Sequence, residues 1–175
     1  MTDKQITSSI TNTKNIYLFT DGSVNPQKKI GYGAYFTLYE EELSLITIEP
    51  KINTKKFLDT SSTKLELETL LWALRDEVLQ NYHIVIYTDC QNILGLESRR
   101  EGFEENAYYT KKQKLIKNHE LYKEFYKAVD ELSCKFIKVK GHKVQDQKDH
   151  IDKLFTLVDK ASRIALREDM SKLPN

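Results

Sequence analysis

The run Ile84-Val85-Ile86-Tyr87-Thr88 is almost wholly apolar and stops at Asp89. A strand with one face in water alternates apolar and polar residues. A strand without that alternation is covered on both faces, as inside a parallel sheet. The rest of the chain must therefore supply helices for both faces, and its pattern does so. Ile16-Tyr17-Leu18-Phe19-Thr20 is a second buried run, ended by the turn residues Asp21-Gly22-Ser23. Gly31 to Leu38 reads as the next strand and Leu43 to Ile48 as a third, together an antiparallel meander. Thr60-Ser61-Ser62-Thr63 offers an N-cap, with Glu66 three residues after Thr63 as in a capping box. The spacing of Leu67, Leu71, Leu74 and Val78 predicts a helix to about Gln80. Further helices are predicted from Asn92 to Ser98, from Leu121 to Leu132 and from Asp152 to Glu168. A last strand runs from Lys135 to Lys140. The order βββ-α-β-α-α-β-α implies an α/β fold with a five-stranded mixed sheet, three antiparallel strands followed by parallel ones, flanked by helices. One domain over 15–169 is expected, between a Ser-, Thr- and Asn-rich tail at 1–14 and a short tail at 170–175.

No run of 18 apolar residues occurs, so no membrane association is expected. The N-terminus carries no secretory pattern. Cys90 and Cys134 have neither metal-like nor framework spacing, so they are expected to be reduced thiols in a cytoplasmic protein. A net charge of +1 does not advertise a nucleic-acid partner. Positive charge is instead gathered locally, from Lys111 to Lys117 and from Lys135 to Lys143.

Two strands end in the same form, Phe19-Thr20-Asp21 and Tyr87-Thr88-Asp89. An aspartate there sits at the carboxyl end of the sheet, where open α/β sheets bind ligands. Two such carboxylates facing each other repel unless a cation neutralises them. Taken singly, Asp21-Gly22 after a strand is most often only a turn. The helical wheel sets Glu66 and Glu68 at opposite edges of the apolar stripe, and periodicity does not choose between them.

Five segments resemble the type 1 ribonuclease H family, in the family's order. They are Thr20-Asp21-Gly22-Ser23 with Gly31-Tyr32-Gly33-Ala34; Ser62-Thr63-Lys64-Leu65-Glu66-Leu67 with Leu71-Trp72-Ala73-Leu74; Tyr87-Thr88-Asp89-Cys90-Gln91; Val139-Lys140-Gly141-His142; and Leu157-Val158-Asp159-Lys160-Ala161-Ser162. The resemblance covers about residues 16–167. It implies the ribonuclease H fold and hydrolysis of the RNA strand of an RNA–DNA hybrid, leaving 5′-phosphate and 3′-hydroxyl ends. It implies a metal-binding, catalytic set of Asp21, Glu66, Asp89 and Asp159, with His142 as a mobile histidine assisting proton transfer or product release. Under this register Glu68 is a solvated surface residue and Asp152 a helix cap.

The implied cofactor is a pair of Mg²⁺ ions, with Mn²⁺ as a substitute. Two ions about 3.5–4 Å apart activate water and stabilise the leaving oxygen, and oxygen ligands suit magnesium. Asp21 is assigned to both ions, Asp89 and Glu66 to the leaving-group side, and Asp159 to the water side. For the substrate, the resemblance points to Gly22, Ser23, Ser62, Thr63 and Gln91, the family often having asparagines where Ser62 and Thr63 stand. The segment from Glu97 to Lys117 matches the family's basic protrusion. Arg99, Arg100, Lys111, Lys112, Lys114 and Tyr108 are its candidate contacts to phosphate and sugar. The stretch from Lys143 to Lys153 is longer than in compact family members and carries a second histidine, His150. The family implies a monomer.

Overall fold

The computed structural model describes residues 13–45, 47–140 and 149–172. Most of the tail expected over 1–14 lies outside them, as do His142 and most of the stretch after it. Five strands form one mixed sheet in the order β3-β2-β1-β4-β5. They are β1 (Asn15–Asn25), β2 (Ile30–Tyr39), β3 (Asn53–Leu58), β4 (His83–Thr88) and β5 (Cys134–Lys138). β1, β2 and β3 pair antiparallel, while β1–β4 and β4–β5 are parallel.

The apolar run in β4 is covered as its sequence demands. Ile84 and Ile86 join Ile16 and Leu18 in a core closed by α2 (Ser62–Ala73) and α5 (His119–Glu131). Val85 and Tyr87 join Phe19 and Phe36 in a second core on the other face, closed by α6 (His150–Ser171). Neither core alone explains the run; the two faces together do.

Several expectations are corrected. The third strand is not Leu43 to Ile48. A short helix, α1 (Glu40–Leu43), follows β2, and the Glu42 carboxylate accepts from the Tyr39 N–H at 2.8 Å. The real β3 is a polar edge strand bearing Lys55 and Lys56, and edge strands carry lysine because it discourages pairing with other chains. α2 ends at Ala73, not near Gln80. Asp76 leaves the helical path, and its carboxylate caps a 3₁₀ turn, Glu77–Leu79, by accepting from the Val78 N–H at 3.1 Å. The predicted short helix from Asn92 is two pieces, α3 (Gln91–Leu94) and α4 (Leu96–Glu105), meeting at Gly95. α6 starts two residues early and runs to Ser171, past the expected domain end at 169. Asp149 is its N-cap, exchanging reciprocal bonds with Asp152 three residues on, at 2.8 and 3.2 Å.

Candidate active site

β1 and β2 lie side by side with Gly22 opposite Gly33. Both permit α2 to pack against the sheet at backbone distance. A Cβ at Gly22 would stand 2.9 Å from the Leu65 side chain, and one at Gly33 would overlap Thr69 Oγ1. This close approach carries Glu66 to Asp21. The capping box expected of Thr63 and Glu66 does not form: the N-cap is Ser61, without a side-chain cap bond. Glu66 instead turns to the sheet. Asp89 follows the last residue of β4, where the Cys90 N–H donates to Thr88 Oγ1 at 3.1 Å and sets the turn. Asp159 lies mid-way along α6, whose apolar face is fixed by Leu154, Phe155 and Val158.

These four carboxylates, drawn from β1, α2, the end of β4 and α6, line one cavity of about 670 Å³. Gly22, Ser23, Ser62, Thr63 and Gln91 line it too, so every expected site residue from these segments reaches one place. Burial raises the Asp21 pKa to about 8, and the Asp89 and Asp159 charges add to the effect. Burial pushes Glu66 well above the carboxylate range, with Asp21 and Asp89 adding to it. The Gly22 backbone N–H opposes both shifts. Among the described residues Glu66 Oε2 is buried without a hydrogen-bond partner. Among the described residues no three His, Cys, Asp or Glu side chains already close into a ligand cluster. The donor set nonetheless suits a hard divalent cation. It is all oxygen, it is mutually repelling, and one buried oxygen lacks a partner.

Arg163 was missed by sequence reasoning. It lines the same cavity, and its Nε stands 2.8 Å from Asp159 Oδ1. Its charge opposes the rise in the Asp21 pKa. The signal was available, since Arg163 follows Asp159 by one helical turn.

Other expected residues lie elsewhere. Tyr108 is 8% exposed and belongs to the core beside Phe103 and Tyr122, so it is not a free sugar platform. Arg100 grips Asp130 through two nitrogens, at 2.6 and 2.7 Å, and Glu104 at 2.8 Å. Its fork ties α4 to α5 rather than awaiting phosphate. Arg99 is bound to the main chain of Gly95 and to Asn92. Lys111, Lys112 and Lys114 are exposed in the loop after α4. Glu68 is not solvated: Thr60 Oγ1 donates to it at 2.8 Å and Lys64 pairs with it at 3.7 Å. His150 opens α6, its Nε2 bonded to the Leu43 carbonyl at 2.6 Å, which gives it an anchoring contact.

Comparison with known proteins gives the family and the fold. The RNase H family model matches residues 13–158, stopping one residue short of Asp159. Ribonuclease H of Idiomarina loihiensis is 27% identical over 165 residues, covering 91% of this chain and 96% of that one. Ribonuclease H of Clostridium botulinum is 28% identical over 144 residues, covering 81% and 93%. Among solved structures, LC9-RNase H1, a type 1 RNase H with the type 2 active-site motif, superposes with a TM-score of 0.64 at 18% identity, over 86% of this chain and 72% of that one. The foamy viral protease-reverse transcriptase in complex with dsDNA does so with 0.57 at 15% identity, over 82% and 92%.

Proposed function

This chain belongs to the ribonuclease H family, and from that premise we propose that it is an endonuclease cutting the RNA strand of RNA–DNA hybrids with two divalent ions, Mg²⁺ by preference and Mn²⁺ as a substitute. The products are 5′-phosphate and 3′-hydroxyl ends. The observation that carries this reading is the convergence of Asp21, Glu66, Asp89 and Asp159, from four separate elements, on one cavity. With Asp21 and Glu66 buried, four carboxylates so close are costly to ionise together, and a divalent metal would remove that cost.

Asp21, Glu66, Asp89 and Asp159 would hold the ions. When bound, the ions supply an activated water and charge stabilisation for the leaving oxygen. The chain's own groups orient the substrate. Ser62 and Thr63, at the start of α2, and Gln91 wall the cavity with groups that both donate and accept. Such groups suit 2′-hydroxyls and groove edges, so recognition reads strand type rather than sequence. Gly22 and Ser23 line the floor. The half-exposed Arg163 guanidinium, with one nitrogen on Asp159, keeps donors for a phosphate oxygen. Lys111, Lys112 and Lys114 grip the hybrid backbone beyond the cavity. His142, outside the described residues, keeps its assignment to proton transfer or product release on the family resemblance. We assign the enzyme to a reducing, cytoplasmic setting and to a monomeric state. Among the described residues no helix is long and apolar enough to cross a membrane.

The test is direct. Labelled RNA–DNA hybrid, duplex DNA and duplex RNA are incubated with the protein, with Mg²⁺ or with chelator, beside an Asp89→Asn variant. Cleavage of the hybrid alone, lost in chelator and in the variant, is expected. Intact hybrid that is bound but not cut would make this a hybrid-binding module instead.

A further inference from the structure

Asn92 lies in the wall of the carboxylate cavity, three residues after Asp89. Its side-chain Oδ1 and its main-chain oxygen both accept from Arg99 Nη2, at 2.9 and 2.6 Å. Arg99 Nε donates to the Gly95 carbonyl at 2.9 Å. The guanidinium also lies over the Phe103 ring, 5.7 Å from its centroid. Gly95 leaves room for it, since a Cβ there would stand 3.4 Å from Nη2. α3 is a single turn, too short to hold itself. The Arg99 fork closes that turn from α4 and so fixes the segment that brings Asp89, Gln91 and Asn92 to the cavity.

The fork also decides which way the Asn92 amide faces. Arginine has only donors, so Oδ1 must be the atom turned to Arg99. Asn92 Nδ2 is then pinned on the other side, buried, with no acceptor among the described residues. An unpaired buried donor is disfavoured and calls for an explanation. Here the donor belongs to a residue of the cavity that takes the substrate. An acceptor presented there by a nucleic acid would be a sugar hydroxyl or a phosphate oxygen.

We propose that Asn92 is a substrate-positioning residue whose Nδ2 donates to an acceptor oxygen on the sugar–phosphate backbone of the RNA strand, and that Arg99 is the positioning residue that aims it. The inference rests on the ribonuclease H reading above.

Steady-state cleavage of an RNA–DNA hybrid with Mg²⁺ tests it. Asn92→Ala should raise KM about threefold to tenfold, the range for one neutral hydrogen bond, with kcat little changed. Arg99→Met should reproduce the rise and add little in the Asn92→Ala background, because the two act as a unit. Arg99→Lys, keeping one donor for Oδ1, should fall between. Melting temperatures identify any variant that fails to fold, and Asn92→Ala carries the test in that case. Hybrids with a single 2′-deoxy or a single methylphosphonate substitution beside the cut site distinguish the two oxygens. The substitution that removes the contacted oxygen should abolish the difference between wild type and Asn92→Ala. An unchanged KM in Asn92→Ala, with wild type cutting normally, overturns the inference and leaves the enzyme reading intact. A raised KM that neither substitution abolishes overturns the backbone assignment. A wild type that neither binds nor cuts hybrid removes the premise, and the inference falls with it.

Discussion

Arg163 Nε sits 2.8 Å from Asp159 Oδ1, one turn further along α6, so a cation already leans on the fourth carboxylate of the site. The side chains are 49% and 32% exposed, which makes this a modest pair held by solvent-screened attraction. Its position matters more than its strength, since it puts a guanidinium on the rim of an acidic cavity.

Arg163→Gln should therefore have two opposite effects. Mg²⁺ binding without nucleic acid, followed by calorimetry, should tighten by about twofold to fivefold, because a competing positive charge is gone. Hybrid binding should weaken, with the slope of log affinity against log salt reduced by about one. Tighter hybrid binding in the variant would remove Arg163 from the substrate contacts.

The Asp21 pKa is raised from 3.8 to about 8. A carboxyl raised in this way binds more protons folded than unfolded throughout that window. Stability of the metal-free protein should then fall as pH rises from about 4 to about 8. Glu66, raised in the same direction, deepens the trend. Thermal melts in chelator across this range should show the fall, Asp21→Asn should flatten it, and Mg²⁺ should recover stability most at the alkaline end. A melting temperature that climbs with pH in chelator would contradict the burial argument.

The basic segment separates into two classes. Neutralising Lys111, Lys112 and Lys114 should weaken hybrid binding and lower its salt dependence, with melting unchanged. Arg100→Gln should do the reverse. It loses the Asp130 and Glu104 contacts, costs about 1 kcal/mol or less in denaturant titration because the network is largely exposed, and leaves the salt slope alone. Equal effects on the slope would mean that Arg100 leaves Asp130 for phosphate.

Gly33 has no tolerance for a side chain, since Thr69 Oγ1 occupies the place of a Cβ. Gly33→Ala should destabilise by about 1–3 kcal/mol through overpacking and should also weaken Mg²⁺ binding by moving α2, and Glu66 with it. A variant of wild-type stability would mean that α2 shifts without cost.

Much of the site was legible because its residues lie in short segments with strong local identity. Asp21 and Asp89 stood out as matched ends of apolar runs, although β1 continues through Asp21 to Asn25 and only Asp89 follows a strand end, and the family register selected Glu66 over Glu68. Burial then gave Glu68 a hydrogen-bonded role of its own, which a helical wheel does not contain. The third strand was misread because an edge strand with lysines has no apolar pattern to follow. Tyr108, Arg99 and Arg100 were taken for substrate contacts because composition reports which charges and rings a segment has, not which are already engaged. Tyr108 is spent on the core, Arg100 on Asp130, and Arg99 on the α3 turn.

By itself the sequence determined the alternation of strands and helices, the two-sided burial of β4 and the matched Thr-Asp ends of two apolar runs at Asp21 and Asp89. These follow from periodicity and local chemistry, which act over a few residues. Only the tertiary structure decided that Gly22 and Gly33 bring α2 within reach of β1, that Arg163 joins Asp21 and Asp89 at one cavity, and that Asn92 is turned by Arg99. Those are contacts between separate elements. Their energies depend on distance and on the exclusion of water, neither of which exists until the sheet and its helices have closed on one another.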